Sequence, residues 1–415
     1  MELGTVRGLT DTSSLAPGFV ARSGGGSAPV VPDYGGACLS SLVPALFARA
    51  GNDTASWLPE PCRGARQVVL LVLDGIGWEQ LQASRSAPTL TGATGRRITS
   101  VAPTTTATAL TSITTGSSPS EHGVVGYRMK VAASGAAAAG GRVEVPGEGA
   151  ADRGGDAQVL NVLRWRTGQG DMRRLMPATQ FQTLPPFRGI RTPAVTRTEF
   201  ASTGFTALHL AGAQLVGWAL PSVLVVQVRR LLASGEPFVY AYYDGLDKVA
   251  HTHGLGEIYE EELRSVDRWV GDLVGSLPSG SALVVTSDHG QVEVGGAVYV
   301  PSAALLEHVE MLSGEGRFRW FHARHGAEGD LLSAATEEHG SEAWVCTREE
   351  IVEAGWFGGP LAPHVTARLG DVALVAREPV AFLDPADTGE TRLAARHGSL
   401  TAAEMYVPLI AWAAD

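Results

Sequence analysis

Residues 67–75, QVVLLVLDG, decide the fold. From Val68 to Leu73 the run is apolar at every position, so it has no face to give to water. That pattern suits a strand buried on both sides of a parallel sheet, and Asp74-Gly75 ends it with a polar turn. Two later segments repeat the design: PFVYAYY at 237–243 before Asp244-Gly245, and ALVVT at 282–286 before Ser287-Asp288-His289-Gly290. Between these two, Tyr259, Leu263, Val266, Val270 and Leu273 recur at spacings of three and four, which predicts an amphipathic crossover helix and hence a βαβ unit. Repeated units of this kind predict an α/β fold with a mostly parallel sheet sandwiched between helices. Ligands in such folds gather beyond the carboxyl ends of the strands, where the polar residues of all three segments fall.

Around that core the chain is uneven. Residues 1 to about 60 are rich in Gly, Ser and Pro and read as an N-terminal extension with one short helix from Leu42 to Ala50, leaving 61–415 as the main folded domain. Residues 131–158 are dominated by Ala and Gly and read as a flexible surface insertion. Residues 159–235 look ordered, a lobe over the active site, and 301–370 is a second accessory region.

The 415 residues are 44% hydrophobic and 18% charged, the profile of a globular chain with ample core. A formal charge of -11 and no basic stripe argue against a nucleic-acid scaffold. An anionic substrate then needs local cations, which bound metals supply. Cys38, Cys62 and Cys346 form no CxxC pair, so neither a disulfide framework nor a thiolate zinc site is expected, and a reduced, cytoplasmic setting fits. The first residues lack a basic region followed by an apolar one, so secretion is not expected. The most apolar long stretch, 205–228, contains His209, Gln214, Pro221 and Gln227 and is too polar to span a membrane.

Asp247 and His251 stand four apart, on one face if the turn is helical and within reach of one ion. Taken alone, such a pair is more often a cap or a solvated pair. Asp288 and His289 follow a buried strand and can diverge to serve two neighbouring sites. Asp74 ends another buried strand, where a carboxylate needs a cation or strong donors, or else caps the next turn. His397 by itself is more often a hydrogen-bonded structural residue.

The most distinctive stretch is 103–123, PTTTATALTSITTGSSPSEHG, a Thr-rich entry to a helix. It resembles the type I phosphodiesterase/nucleotide pyrophosphatase family of the alkaline phosphatase superfamily, with Pro103, Thr106, Thr115, Gly116, Pro119, His122 and Gly123 in register. The remaining pattern follows in chain order at Asp74, Asp247 with His251, Asp288 with His289, and His397. Carried over, the resemblance assigns Asp247, His251 and His397 to one divalent ion. It gives the other ion Asp74, Asp288, His289 and the hydroxyl of Thr106, the nucleophile. Zinc or manganese suits these ligands. Family members usually carry an Asn shortly after the nucleophile, and the matching position here is Ala109.

The family implies an alkaline phosphatase-like fold and hydrolysis of nucleotide phosphodiesters or pyrophosphates through a covalent Thr intermediate. A phosphomonoesterase or phosphonoacetate hydrolase shares all the ligands and is the main alternative; a non-catalytic nucleotide-binding relic is the second. No Cys-x-Pro-x-Arg stretch is present, which disfavours a sulfatase. Four further stretches, VPDYGG at 31–36, LNVLRW at 160–165, TRTEFASTGFT at 196–206 and HGSLTAAEMYVP at 397–408, resemble an actinobacterial clade that includes cyclic di-AMP phosphodiesterases. That resemblance implies conversion of cyclic di-AMP to linear pApA and AMP. Trp165, Phe200, Phe205 and Tyr243 are available to stack on adenines, or to pack in the core.

Overall fold

The computed structural model describes residues 27–49, 51, 54–132, 157–387 and 392–414. The strands used below are β1 (Gln67–Leu73), β2 (Thr94–Thr99), β3 (Arg128–Ala132), β4 (Ala157–Asn161), β5 (Pro193–Arg197), β6 (Gln214–Trp218) and β7 (Phe238–Tyr243). They continue with β8 (Ser281–Thr286), β9 (Val309–Glu315), β10 (Phe318–Ala323), β11 (Ala343–Thr347), β12 (Val372–Ala376) and β13 (Tyr406–Ala413). The helices are α1 (Leu39–Phe47), α2 (Thr106–Thr115), α3 (Gly204–His209), α4 (Pro221–Ala233), α5 (Gly245–His253), α6 (Glu257–Val274) and α7 (Glu328–His339).

A seven-stranded sheet in the order β2-β13-β8-β1-β7-β5-β6 forms the centre. Its strands run parallel except β13, which is antiparallel to both β8 and β2. The continuous apolar runs are explained by the two cores they divide. Val68, Leu70 and Val72 join Tyr240 and Val284 in one core, covered by Leu42 and Leu46 of α1 and Leu110 and Ile113 of α2. Val69, Leu71 and Leu73 join Val239 and Val285 in the other, covered by Leu224 and Val228 of α4 and by the α6 stripe Tyr259, Leu263, Val266, Val270 and Leu273. Burial of each such side chain contributes roughly 1.5–3 kcal/mol, so both faces demand a helical layer. The α/β sandwich and the crossover helix expected from the sequence are what forms.

Three boundaries differ from the sequence reading. The described part of the N-terminal segment is core, not an extension: Leu39, Leu42, Val43 and Leu46 are fully buried, and Val30 N–H bonds the Leu400 carbonyl at 2.8 Å. Its helix also starts earlier, at Leu39, because apolar contacts with the sheet extend it N-terminally. Within 159–235, β5 and β6 extend the central sheet and α4 covers it, so these three elements are not part of a lobe over the site. The region after 301 is an antiparallel sheet, β9-β10-β12-β11, that runs on to Ala376; α7 packs Leu331 and Ala335 against Phe321, Val345 and Leu374 of its strands. Of the Ala/Gly-rich stretch 131–158, residues 133–156 lie outside the described residues; its two ends pair as the antiparallel strands β3 and β4.

Candidate metal-binding active site

Parallel strands bring their carboxyl ends to one edge, and there β1 ends in Asp74, β7 in Asp244 and β8 in Ser287-Asp288-His289. The turns after them are tight. Gly75 has φ +79, and a Cβ on it would fall 3.0 Å from Asp247 Cα, so only glycine admits this approach. Asp247 and His251 lie one turn apart on α5, and Thr106 is the first residue of α2. His397 arrives late in the chain, held by its Nδ1 at 2.8 Å from the Thr104 carbonyl beside the start of α2.

The six side chains form two triads: Asp247, His251 and His397, and Asp74, Asp288 and His289. Within each, the candidate ligand atoms lie within 4.8 Å of one another. Thr106 Oγ1 lies 3.2 Å from His289 Nε2. All the ligands expected from the sequence are therefore brought together, with the nucleophile candidate beside the second triad.

The donor set fits divalent cations. His251 Nδ1 lies 2.8 Å from the Ala395 carbonyl, and His289 Nδ1 lies 3.1 Å from the Gly290 carbonyl, as His397 does with Thr104. A carbonyl only accepts, so in all three rings Nδ1 carries the proton and Nε2 presents a lone pair. Those lone pairs face carboxylate oxygens: His251 to Asp247 at 3.2 Å, and His289 to Asp74 and Asp288 at 3.4 Å each. Lone pair against anion is repulsive until a cation sits between them. Asp74 Oδ1 and Asp288 Oδ2 are also buried without a hydrogen-bond partner. An unpaired buried carboxylate costs several kcal/mol, more than one buried Leu returns, so the arrangement requires positive charge.

Electrostatics agree. Burial first, then the charges of Asp288 and Asp247, push the Asp74 carboxyl well above the usual carboxylate range. Burial likewise raises Asp288, with Asp247 adding to it. His397 is driven well below the usual imidazole value by burial and by its neighbours His289 and His251, which keeps it neutral. The Tyr242 hydroxyl donates to Asp74 Oδ2, and Gln291 Nε2 donates to Asp247 Oδ1 at 2.6 Å.

Two clefts meet at Thr106, and Thr106, Leu163 and Asp247 line both. The first, about 300 Å³, is polar, with Tyr127, Asn161, Arg164, Glu315, Asp387 and Arg396 in its wall. The second, about 240 Å³, is bordered by Phe200, Phe205, Thr203, Thr206 and Lys248.

The family model for type I phosphodiesterase/nucleotide pyrophosphatase matches residues 68–140 and 199–400, which hold all seven expected site residues and more than half of the chain. The chain belongs to that family. It is a phosphodiesterase/nucleotide pyrophosphatase-type hydrolase, in a family that uses divalent metal ions. Among solved structures, murine ectonucleotide pyrophosphatase/phosphodiesterase 5 superposes with a TM-score of 0.60 at 17% identity, over 83% of this chain and 87% of that one. An inactive variant of the murine protein, in complex with AMP, matches at 0.59 and 16%, over 83% and 87% of the two chains. Phosphonoacetate hydrolase from Sinorhizobium meliloti 1021, in complex with phosphonoacetate, gives 0.58 and 19% over 84% and 90%. These likenesses establish the alkaline phosphatase-like fold. No curated protein sequence matches the chain.

Packing decides several details that the sequence leaves open. Ala109 is fully buried in α2 and its N–H is taken by the Thr105 carbonyl at 2.9 Å, so that position offers the site no donor. Trp165 does not border either cleft: it is fully buried, with Nε1–H donating to the Met176 carbonyl at 2.7 Å. Tyr243 is likewise core, stacked on Trp218 at 5.5 Å with its hydroxyl donating to Glu262. Of the four aromatic candidates, Phe200 and Phe205 reach a cleft. His122 serves structure: Ser112 Oγ lies 2.8 Å from Nε2, Val124 N–H donates to Nδ1, and burial pushes the ring down to about 3. Tyr127, Glu315 and Gln291 carry no signal in the sequence, because a single polar residue in a loop or at the end of a strand has no periodicity. Among the described residues, no helix is long and apolar enough to cross a membrane.

Proposed function

We propose that the chain is a two-metal phosphodiesterase in which Thr106 is the nucleophile, acting on nucleotide diesters and, of these, on cyclic di-AMP. The observation that carries this reading is the position of Thr106 where both clefts and both ligand triads converge. A monoester needs room on one side of phosphorus; a diester or pyrophosphate needs it on two, and two clefts open from this hydroxyl.

Asp247, His251 and His397 would hold one ion and Asp74, Asp288, His289 and Thr106 the other, zinc or manganese by ligand type. When bound, such ions neutralise the carboxylates, lower the pKa of the Thr106 hydroxyl and offset charge on the phosphoryl oxygens. The chain's own groups do the rest. Thr106 stands at the N-terminus of a ten-residue helix, whose first N–H groups have no partners inside the helix and favour an anion there. Attack by Oγ1 forms a Thr–phosphate ester and expels one ester oxygen, which leaves as an alcohol after taking a proton. Water then cleaves the ester and restores the hydroxyl. Phe200 offers an aromatic face to a base in the second cleft, whose wall Phe205, buried and stacked on His209 at 4.1 Å, helps to form.

The choice of cyclic di-AMP is supported by the stretches that resemble that clade. Leu163 and Arg164 of 160–165, Phe200 and Phe205 of 196–206, and His397 of 397–408 all border the clefts. A cytoplasmic setting is in keeping with three buried, free cysteines. The test incubates the manganese- or zinc-loaded enzyme with cyclic di-AMP, cyclic di-GMP, ATP and a phosphomonoester, and follows products by chromatography. Preferred conversion of cyclic di-AMP through pApA to AMP is expected. Phosphate release from the monoester with the dinucleotide intact would overturn the substrate and leave the metal core standing.

A further inference from the structure

The turn 162–165, between β4 and the short strand Arg166–Thr167, is built with unusual care. Trp165 adopts φ +53, a left-handed conformation that is costly for a bulky residue and persists only where the surroundings enforce it. They do: its indole is buried and hydrogen-bonded to Met176, and it lies against Gly204, where a Cβ would fall 2.3 Å from the ring. At the other side of the turn, Arg164 N–H donates to Asn161 Oδ1 at 3.0 Å, a side chain closing its own turn. With both ends fixed, the residues between are the ones that reach the catalytic edge. Leu163, partly exposed at 37%, lines both clefts, and Arg164 lines the polar one.

The two carboxylates of that cleft wall, Asp387 and Glu315, are engaged. Asp387 accepts from the Tyr127 hydroxyl and lies 3.3 Å from Arg128, and Glu315 accepts from Tyr127 N–H at 3.3 Å. Arg164 makes no side-chain hydrogen bond or ion pair among the described residues. We propose that this turn reads the substrate: Leu163 divides the two arms of the diester across Thr106, and Arg164 takes a second phosphate, beyond the one attacked, in the polar cleft. The inference deepens the diesterase reading and rests on it. It names the substrate class as one with two phosphates, and Arg164 as the residue that selects it.

The experiment measures calorimetric binding of pApA and of AMP to the metal-loaded Thr106→Ala protein, which cannot turn them over by the proposed route. Adding Arg164→Ala is expected to weaken pApA on the order of tenfold, as for loss of a charge-assisted contact, while AMP, with its single phosphate, keeps its affinity within twofold. Arg164→Lys should restore part of the loss. Equal weakening of both ligands would show a structural role, and unchanged pApA binding, or none at all, would also overturn the proposal. Turnover of bis(p-nitrophenyl) phosphate by the protein with Thr106 intact is scored separately. Its absence would defeat the diesterase reading whatever Arg164→Ala does to pApA binding, so the two failures are told apart.

Discussion

The two triads use the same chemistry in opposite surroundings. Asp74, Asp288 and His289 are all buried, at strand ends fixed by the parallel sheet; Asp247, His251 and His397 are all partly exposed, gathered from one helix and a late loop. The buried triad pays heavily for desolvation and is incomplete without positive charge, as its two unpartnered carboxylate oxygens show. Water can substitute for part of what the open triad lacks. The expectation is therefore that the sealed triad acts as part of the fold and the open one as an exchangeable site.

The hardest test of this contrast is loss of a ligand from each. Asp288→Asn keeps the shape and removes the charge; it is expected to abolish turnover, and added metal should not recover it. His397→Ala should also abolish turnover at limiting metal but regain some at high metal. Near-normal rates in either variant with metal content unchanged would break the assignment. Beside the buried triad stands Thr106, and Thr106→Ala should lose on the order of a thousandfold or more in kcat, with Thr106→Ser retaining part. A rate close to the parent would mean that water attacks directly.

Chelation sharpens the contrast through stability. Asp74 and Asp288 have folded pKa values raised by burial, so without cations they bind protons more readily folded than unfolded. Such groups withdraw stability as pH rises through the folded pKa. The fall in Tm on metal removal is thus expected to be larger at pH 8 than at pH 5.5; a reversed order would place the controlling groups elsewhere. The smallest effect compares the supporting residues. Tyr242→Phe removes the donor to Asp74 and should weaken tight metal binding by roughly 10-fold, whereas Gln291→Leu, beside the partly exposed Asp247, should cost only a few-fold. Equal effects, read by metal titration, would mean that the two sites are equally solvated.

Much of this site was legible in the sequence because its residues follow strong local signals. Asp74, Asp288 and His289 follow strands whose apolar runs announce burial, and Asp247 and His251 share a helix face by spacing alone. What was hidden depends on long-range contacts. Leu39–Phe47 looks like a short helix in a Gly- and Ser-rich leader, and only its packing under the sheet makes it core. Trp165 and Tyr243 carry the aromatic faces a base would use, yet Met176, Trp218 and Glu262, distant in sequence, claim them. In the antiparallel sheet from Val309 to Ala376 the strands VEMLSGE and FRWFHA carry charged and polar positions and only the short VALVA of β12 is apolar throughout, so the sequence marked a region there without its architecture.

The place of β13 has a consequence for how the molecule comes into being. The last strand lies between β8 and β2, so it is an interior board of the sheet laid after its neighbours. Until Tyr406–Ala413 has been synthesised, β8 and β2 stand with open edges, and His397, a few residues earlier, has scarcely arrived. β1 can pair with β7 and β8, themselves far along the chain, once those have been made, but β2 joins them only through β13, a still more distant and slow closure. A ribosome stalled short of that strand holds a half-built sheet with exposed edges and no hydrolase.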